Sequence, residues 1–166
     1  SAVRQVTNQY TVPGFYTVRL VVSNSSAESA TCIRTSFIRL YPTSTIAYVS
    51  TEGGDQWPYE TWARAASNIQ DAINVESATL VLVGNGLYGV SNTITIRDNC
   101  TVRSLNGPRY TTVYRTSGNI PMFHVGLWGV ATVTNVMLDG FTLTNGNQGA
   151  VWIRGGIVQN CMIASN

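Results

Sequence analysis

Carboxylates are the first place to look for chemistry in this 166-residue chain, which has eight of them. Hydrolysing a glycoside takes two acids at a defined separation, and holding a hard cation such as calcium takes several converging oxygens. The densest set is Glu52, Asp55 and Glu60, spread around Gly53-Gly54 and the aromatic run Trp57-Pro-Tyr59. Such a loop could bind calcium, or offer Trp57 and Tyr59 to a sugar ring. An ordered loop tucked against the next segment is the simpler expectation. Over residues 78–166 the only acids are Asp98 and Asp139, neither with an acidic neighbour, so no catalytic pair is indicated.

His124, the sole histidine, lies among Met122, Phe123 and Val125 with no Ser or Cys nucleophile beside it. A hydrogen-bonded structural histidine is expected. One histidine and three cysteines, Cys32, Cys100 and Cys161, make neither a zinc site nor a disulfide framework. Cys100 and Cys161 each follow an Asn and are expected as buried, inert thiols. No catalytic residue and no cofactor follow from these residues, and calcium at Glu52, Asp55 and Glu60 is the one metal candidate.

The polar residues near the end of the sequence have a different logic. Asp139-Gly-Phe-Thr-Leu-Thr-Asn145 is echoed 21 residues later by Asn160-Cys-Met-Ile-Ala-Ser-Asn166. A repeat of that length matches one unit of a solenoid, in which each unit buries its apolar face by stacking on the next. Read this way, Asp139 and Asn160 share a corner where the carboxylate caps backbone amides, Asn145 and Asn166 are rungs of an asparagine ladder, and Gly140 and Cys161 share a small core position. The strings Thr93-Ile-Thr95, Thr132-Val-Thr134 and Thr142-Leu-Thr144 are too unevenly spaced to build an ice-binding face.

Composition narrows the partners. Charged residues make up 11%, with ten Arg, no Lys and a formal charge of +2. Nothing clusters into the basic track that a phosphate backbone needs, which argues against nucleic acid. No apolar run reaches the roughly 18 residues of a membrane-spanning helix, so no membrane insertion is expected. The chain starts at Ser1 without an apolar leader, and export is suspected rather than read directly.

The elements that must position these residues are mostly strands. Arg4 to Tyr10, Tyr16 to Ser23 and Thr31 to Tyr41 alternate, with Asn24-Ser25-Ser26-Ala27-Glu28 as the turn between the last two. Tyr41-Pro42-Thr-Ser-Thr45 reads as a linker. From Thr61, the residues Trp62, Ala65, Ala66, Ile69, Ala72 and Ile73 fall on one helical face, so an amphipathic helix is expected there, with Trp62 and Ile69 resting on the first unit of the repeat. Beyond Ala78, nine short strands are expected: 80–83, 94–96, 101–105, 111–114, 122–125, 136–138, 141–144, 151–153 and 158–163. Residues 84–86 read as a turn. The expected division is 1–42, a strand pair; 43–77, a linker, leading strand and capping helix; and 78–166, the repeat.

Two resemblances attach to these residues. Tyr10-Thr-Val-Pro-Gly-Phe-Tyr-Thr-Val-Arg-Leu-Val-Val22 resembles the closing hairpin of a PKD (polycystic kidney disease) domain, an immunoglobulin-like sandwich, although the strands that precede that hairpin in the family are not in this sequence. Pro58 to Ile73, Leu82 to Tyr88, Val102 to Pro108, Asp139 to Gly146 and Asn160-Cys161 together are similar to right-handed parallel β-helix proteins of the pectin-lyase-like superfamily, of the bacterial surface or secreted type. The resemblance implies a mostly β fold, a right-handed parallel β-helix with an N-terminal amphipathic capping helix, preceded by a partial β-sandwich. It also implies an extracellular or cell-surface location.

The function expected is a non-catalytic structural or adhesive module that self-associates head to tail through open β ends into a fibre. One alternative is the N-terminal part of a polysaccharide lyase or glycoside hydrolase. Another is a carbohydrate-binding module using Trp57, Tyr59, Trp128 or Trp152.

Overall fold

The computed structural model describes residues 7–42, 44–126 and 135–165. The chain divides into two units, Ser1–Pro42 and Thr43–Asn166. In the first, β1 (Gly14–Ser23) and β2 (Ser29–Leu40) form an antiparallel hairpin. Asn24 shapes the turn: its Oδ1 accepts from the amides of Ser26 and Glu28, both at 3.0 Å. The register slips between Tyr16 and Val18, and Ser36 on the opposite strand has a positive φ of 50°, the mark of a bulge. Leu20, Val22, Ile33 and Phe37 are all exposed, so this two-stranded ribbon has no core of its own. Residues 7–10 are not strand, and the rest of the expected first strand lies outside the described residues.

The second unit is mostly β, with parallel pairing throughout. One sheet has five strands: β3 (Ile46–Val49), β4 (Leu80–Val83), β7 (Thr101–Ser104), β10 (Met137–Asp139) and β13 (Ile157–Gln159). A four-stranded sheet holds β5 (Gly86–Val90), β8 (Thr111–Arg115), β11 (Thr142–Thr144) and β14 (Met162–Ala164). A three-stranded sheet holds β6 (Ile94–Ile96), β9 (Phe123–Val125) and β12 (Val151–Ile153). From β4 on, the chain visits the three sheets in constant order, so each strand pairs with the strand three further along.

In-register residues stack by type, which is how the pattern of short strands becomes a core. Ala47, Val81, Val102, Leu138 and Val158 form one column, and Tyr88, Val113, Leu143 and Ile163 another. Ile96, Val125 and Ile153 form a third. The buried members of all three columns belong to one apolar cluster, so the inner faces of the sheets meet. Each fully buried Leu or Val contributes about 1.5–3 kcal/mol.

Four expectations need correction. The helix expected from Thr61 through Ile73 does not form. A three-residue 3-10 turn, Trp62–Arg64, is followed by extended backbone and then by α1 (Ile69–Ile73). Two competitors explain the break. Ala66 gives its amide to the Tyr48 carbonyl and its carbonyl to the Ser50 amide, at 2.9 Å each, which ties it to β3 instead of a helix. Asn68 then caps the new start, its side chain accepting from Gln70 N at 2.8 Å.

The strand expected at 158–163 is two strands, broken at Asn160 with φ 51°, and β5 occupies residues read as a turn and its flank. The repeat also stacks at 20 residues, not 21: Asp139 faces Gln159 and Leu143 faces Ile163. The shift follows from strand periodicity, because a one-residue slip would turn Ile163 away from the Leu143 column. The shared corners are therefore Gly140 with Asn160, and Asn145 with Ser165, all four with φ between 51° and 85°.

Candidate functional site

Asp139 ends β10 beside Arg103 of β7, and the register makes the two neighbours on adjacent strands. Its Oδ2 accepts from Arg103 Nε at 3.0 Å and its Oδ1 from Asn160 Nδ2 at 2.8 Å. The acid and amide that echo each other in sequence thus bond to one another across strands, and the carboxylate caps side chains rather than the backbone amides expected. Burial pushes its carboxyl up, but the hydrogen bonds from Asn160, Gln159 and Arg103 and the charge of Arg103 outweigh it and hold the group below its ordinary value. A carboxylate engaged in this way is an anchor and is poorly disposed to take a proton. Asp98 lies in the turn ahead of β7, with the length of the strand between it and Arg103, so the two acids of this region are not brought together.

The asparagines act between strands too. Asn145 Nδ2 donates to the carbonyl of Arg115 at 2.9 Å, and its amide donates to the Ser165 carbonyl at 3.0 Å. Asn166 lies outside the described residues. An amide rung does exist between Asn106 Nδ2 and Asn85 Oδ1, at 2.9 Å. Its signal was present in the sequence as two Asn-Gly pairs 21 residues apart, Asn85-Gly86 and Asn106-Gly107.

The calcium candidates do not converge. Asp55 Oδ1 accepts from the Ser67 amide at 3.1 Å, and Glu60 pairs with Arg64 at 3.2 Å. Among the described residues, no group of three His, Cys, Asp or Glu is placed to hold a metal. The aromatics are also dispersed. Trp57 and Tyr59 pack against the core, Trp152 lies in β12, and Trp128 is outside the described residues.

Trp152 stacks on His124, with ring centroids 5.3 Å apart and planes 18° from parallel. His124 Nε2 is buried without a hydrogen-bond partner among the described residues.

Cys100 and Cys161 do not share a column. Cys100 leads into β7 and is fully buried, with burial pushing its thiol up to about 11, while Arg97 pulls the other way. Cys161 leads into β14 and is only partly buried. Arg115 was not singled out by its sequence context. It is 1% exposed; Nη2 donates to the carbonyls of Ile120 and Pro121, and Nε and Nη1 have no partner among the described residues.

Trp62 and Ile69 were expected on the first unit. Ile69 is buried in the core, and Trp62 packs its ring against that of Tyr48 in β3 at 4.7 Å while remaining partly exposed. The covering of this end comes from polar contacts around them. Tyr48 N donates to Tyr59 O at 2.8 Å, so residues 59 and 66 occupy the outer edge of β3. Gln70 does the same for β6 with its side chain: Thr95 N donates to Oε1 at 2.7 Å, and Nε2 donates to Thr95 O at 3.4 Å. Arg97 gathers the carbonyls of Ile73, Val75, Glu76 and Ala78.

The opposite end has no such cover among the described residues. Ile153 and Ile163, whose in-register neighbours Val125 and Leu143 are fully buried, are 57% and 54% exposed. No protein-family model, characterised protein or solved structure matches this chain. The likeness to PKD-type and pectin-lyase-type proteins therefore rests on the residues quoted for it. No helix among the described residues is long and apolar enough to cross a membrane.

Proposed function

We propose that the second unit is a right-handed parallel β-helix serving as a non-catalytic structural or adhesive module at or outside the cell surface, and that it associates through its exposed last strands. The observation that carries this reading is the exposed cross-section formed by Ile153 and Ile163 beside the edges of β12, β13 and β14, which no described strand pairs. Edges of this kind pair readily with further strands. Right-handed winding is the hand that parallel crossover connections almost always take.

Chemistry has less support than architecture. Asp139 is held by Arg103 and Asn160, and the remaining acids do not gather. The covered edges of β3 and β6 also disfavour head-to-tail stacking of whole repeat units, so the form of association proposed is between exposed last strands. Multi-angle light scattering across a hundredfold range of concentration tests it. A mass that rises with concentration, and stays monomeric for Ile163→Lys, is expected. A monomer at every concentration would sink the association.

A further inference from the structure

The covered end has one gap. The five-stranded sheet begins at β3, but the four-stranded sheet begins one level later at β5, and no strand among the described residues occupies the level of β3 beside it. A cleft of about 310 Å³ lies there, with Leu87 to Ile94 on one side and Thr51 and Ser67 to Asp71 on the other.

In a parallel sheet, alternate residues turn both N–H and C=O toward the same neighbour. Gly86 N donates to Tyr110 O and Val90 O accepts from Thr116 N, so Gly86, Tyr88 and Val90 face β8. Leu87 and Gly89 therefore direct their N–H and C=O groups toward the cleft, and no hydrogen bond from another described residue meets them there. Leu87 is 70% exposed.

The shape limits what can enter. The flanking edges are occupied, β3 by residues 59 and 66 and β6 by the Gln70 amide, so a complete unit of a second copy is blocked while one extended strand is not. The lining mixes apolar groups such as Leu87 and Val90 with the hydroxyls and amides of Ser67, Asn68 and Asn92, and Asp71 is its one charged group. That charge complements a basic side chain.

We propose that this cleft receives a single extended peptide segment, which adds to β5 as a further strand through the main chain of Leu87 and Gly89 and directs an Arg or Lys to Asp71. Main-chain bonds supply the affinity in this mode of recognition, and side-chain contacts supply the selectivity. The proposal stands independently of association at the other end.

The test uses the full chain and a fluorescein-labelled, end-blocked heptapeptide, Thr-Val-Thr-Arg-Val-Thr-Val, followed by anisotropy and by hydrogen exchange. Saturable binding is expected, with the Leu87 and Gly89 amides protected about tenfold or more. N-methylation of alternate peptide amides should weaken binding by about tenfold or more, the loss of one or two hydrogen bonds. Replacing the peptide's Arg by Glu should weaken it by about fivefold, and Asp71→Asn should erase that preference, a screened surface charge effect. Three results would each overturn the proposal: no saturation at millimolar peptide, equal binding of the N-methylated peptide, or protection confined to β12–β14. Concentration-dependent protection of the same two amides without peptide would overturn it in favour of a second copy.

Discussion

The two ends of the stacked unit are built from similar strands and meet solvent in opposite ways. At β3 and β6, outer backbone groups are bonded by residues 59 and 66 and by the Gln70 side chain, and the apolar residues beneath, Ala47 and Val49, are fully buried. At β13 and β14 the strands keep the same register and the same apolar type, but Ile163 is open to solvent. Apolar patterning builds the columns without deciding where they stop. At the β3 and β6 end, polar contacts satisfy the edge.

The largest test of this contrast lies within one column. Leu143→Ala should cost about 2–5 kcal/mol, the range for a buried truncation, and Ile163→Ala less than about 1 kcal/mol, measured by urea unfolding at low protein concentration. Equal costs would mean that the exposed end is covered in solution.

Next in size is Gly53→Ala at the covered end. A Cβ at Gly53 would lie 2.3 Å from the Ala65 carbonyl oxygen, so the loop that shields β3 must shift, at a cost of about 1–3 kcal/mol. Faster amide exchange at Tyr48 and Ser50 should accompany it; unchanged exchange there would detach the loop from the protection of β3.

Asp139→Asn should be milder, about 1 kcal/mol at neutral pH, since Arg103 is half exposed. The carboxyl's folded value is depressed, so its contribution is complete above the ordinary carboxylate range. It fades as pH falls through 3.8 and then through the folded value. Unfolding curves of the two proteins should converge as the pH falls below the folded value; a constant gap would show that the charge is not responsible.

The smallest effect is chemical. A thiol reagent at pH 8 should label exposed Cys32 promptly, Cys161 slowly and buried Cys100 only on unfolding. Fast labelling of Cys100 would show that the interior opens near β7.

Much of the architecture was legible because strand alternation and short turns are local signals. Val81 to Val83, Ile94 to Ile96 and Val151 to Ile153 could be read without a partner in view. What failed was non-local. The helical face from Trp62 to Ile73 was genuine as a pattern, but the backbone of Ala66 was claimed by β3, whose edge is invisible in the sequence. The 21-residue echo had the right residues in the wrong register, because a sequence match aligns residue types whereas stacking aligns faces. For the candidate site, Asp139 and Asn160 were identifiable as a related pair, while Arg103 was not, since it comes from a strand 36 residues away. The cleft beside β5 had no signal at all; it lies where no described strand pairs with the outer edge of β5.

The spacing between stacked neighbours carries a last consequence. Leu80 faces Thr101 after 21 residues, Thr101 faces Met137 after 36, and Met137 faces Ile157 after 20, yet all three pairings belong to one sheet. Extra length is held in the connections and leaves the ladder unchanged. The ladder behaves as a ruler whose marks stay fixed while the text between them varies, so new segments can be written into exposed connections with little disturbance to the measured core.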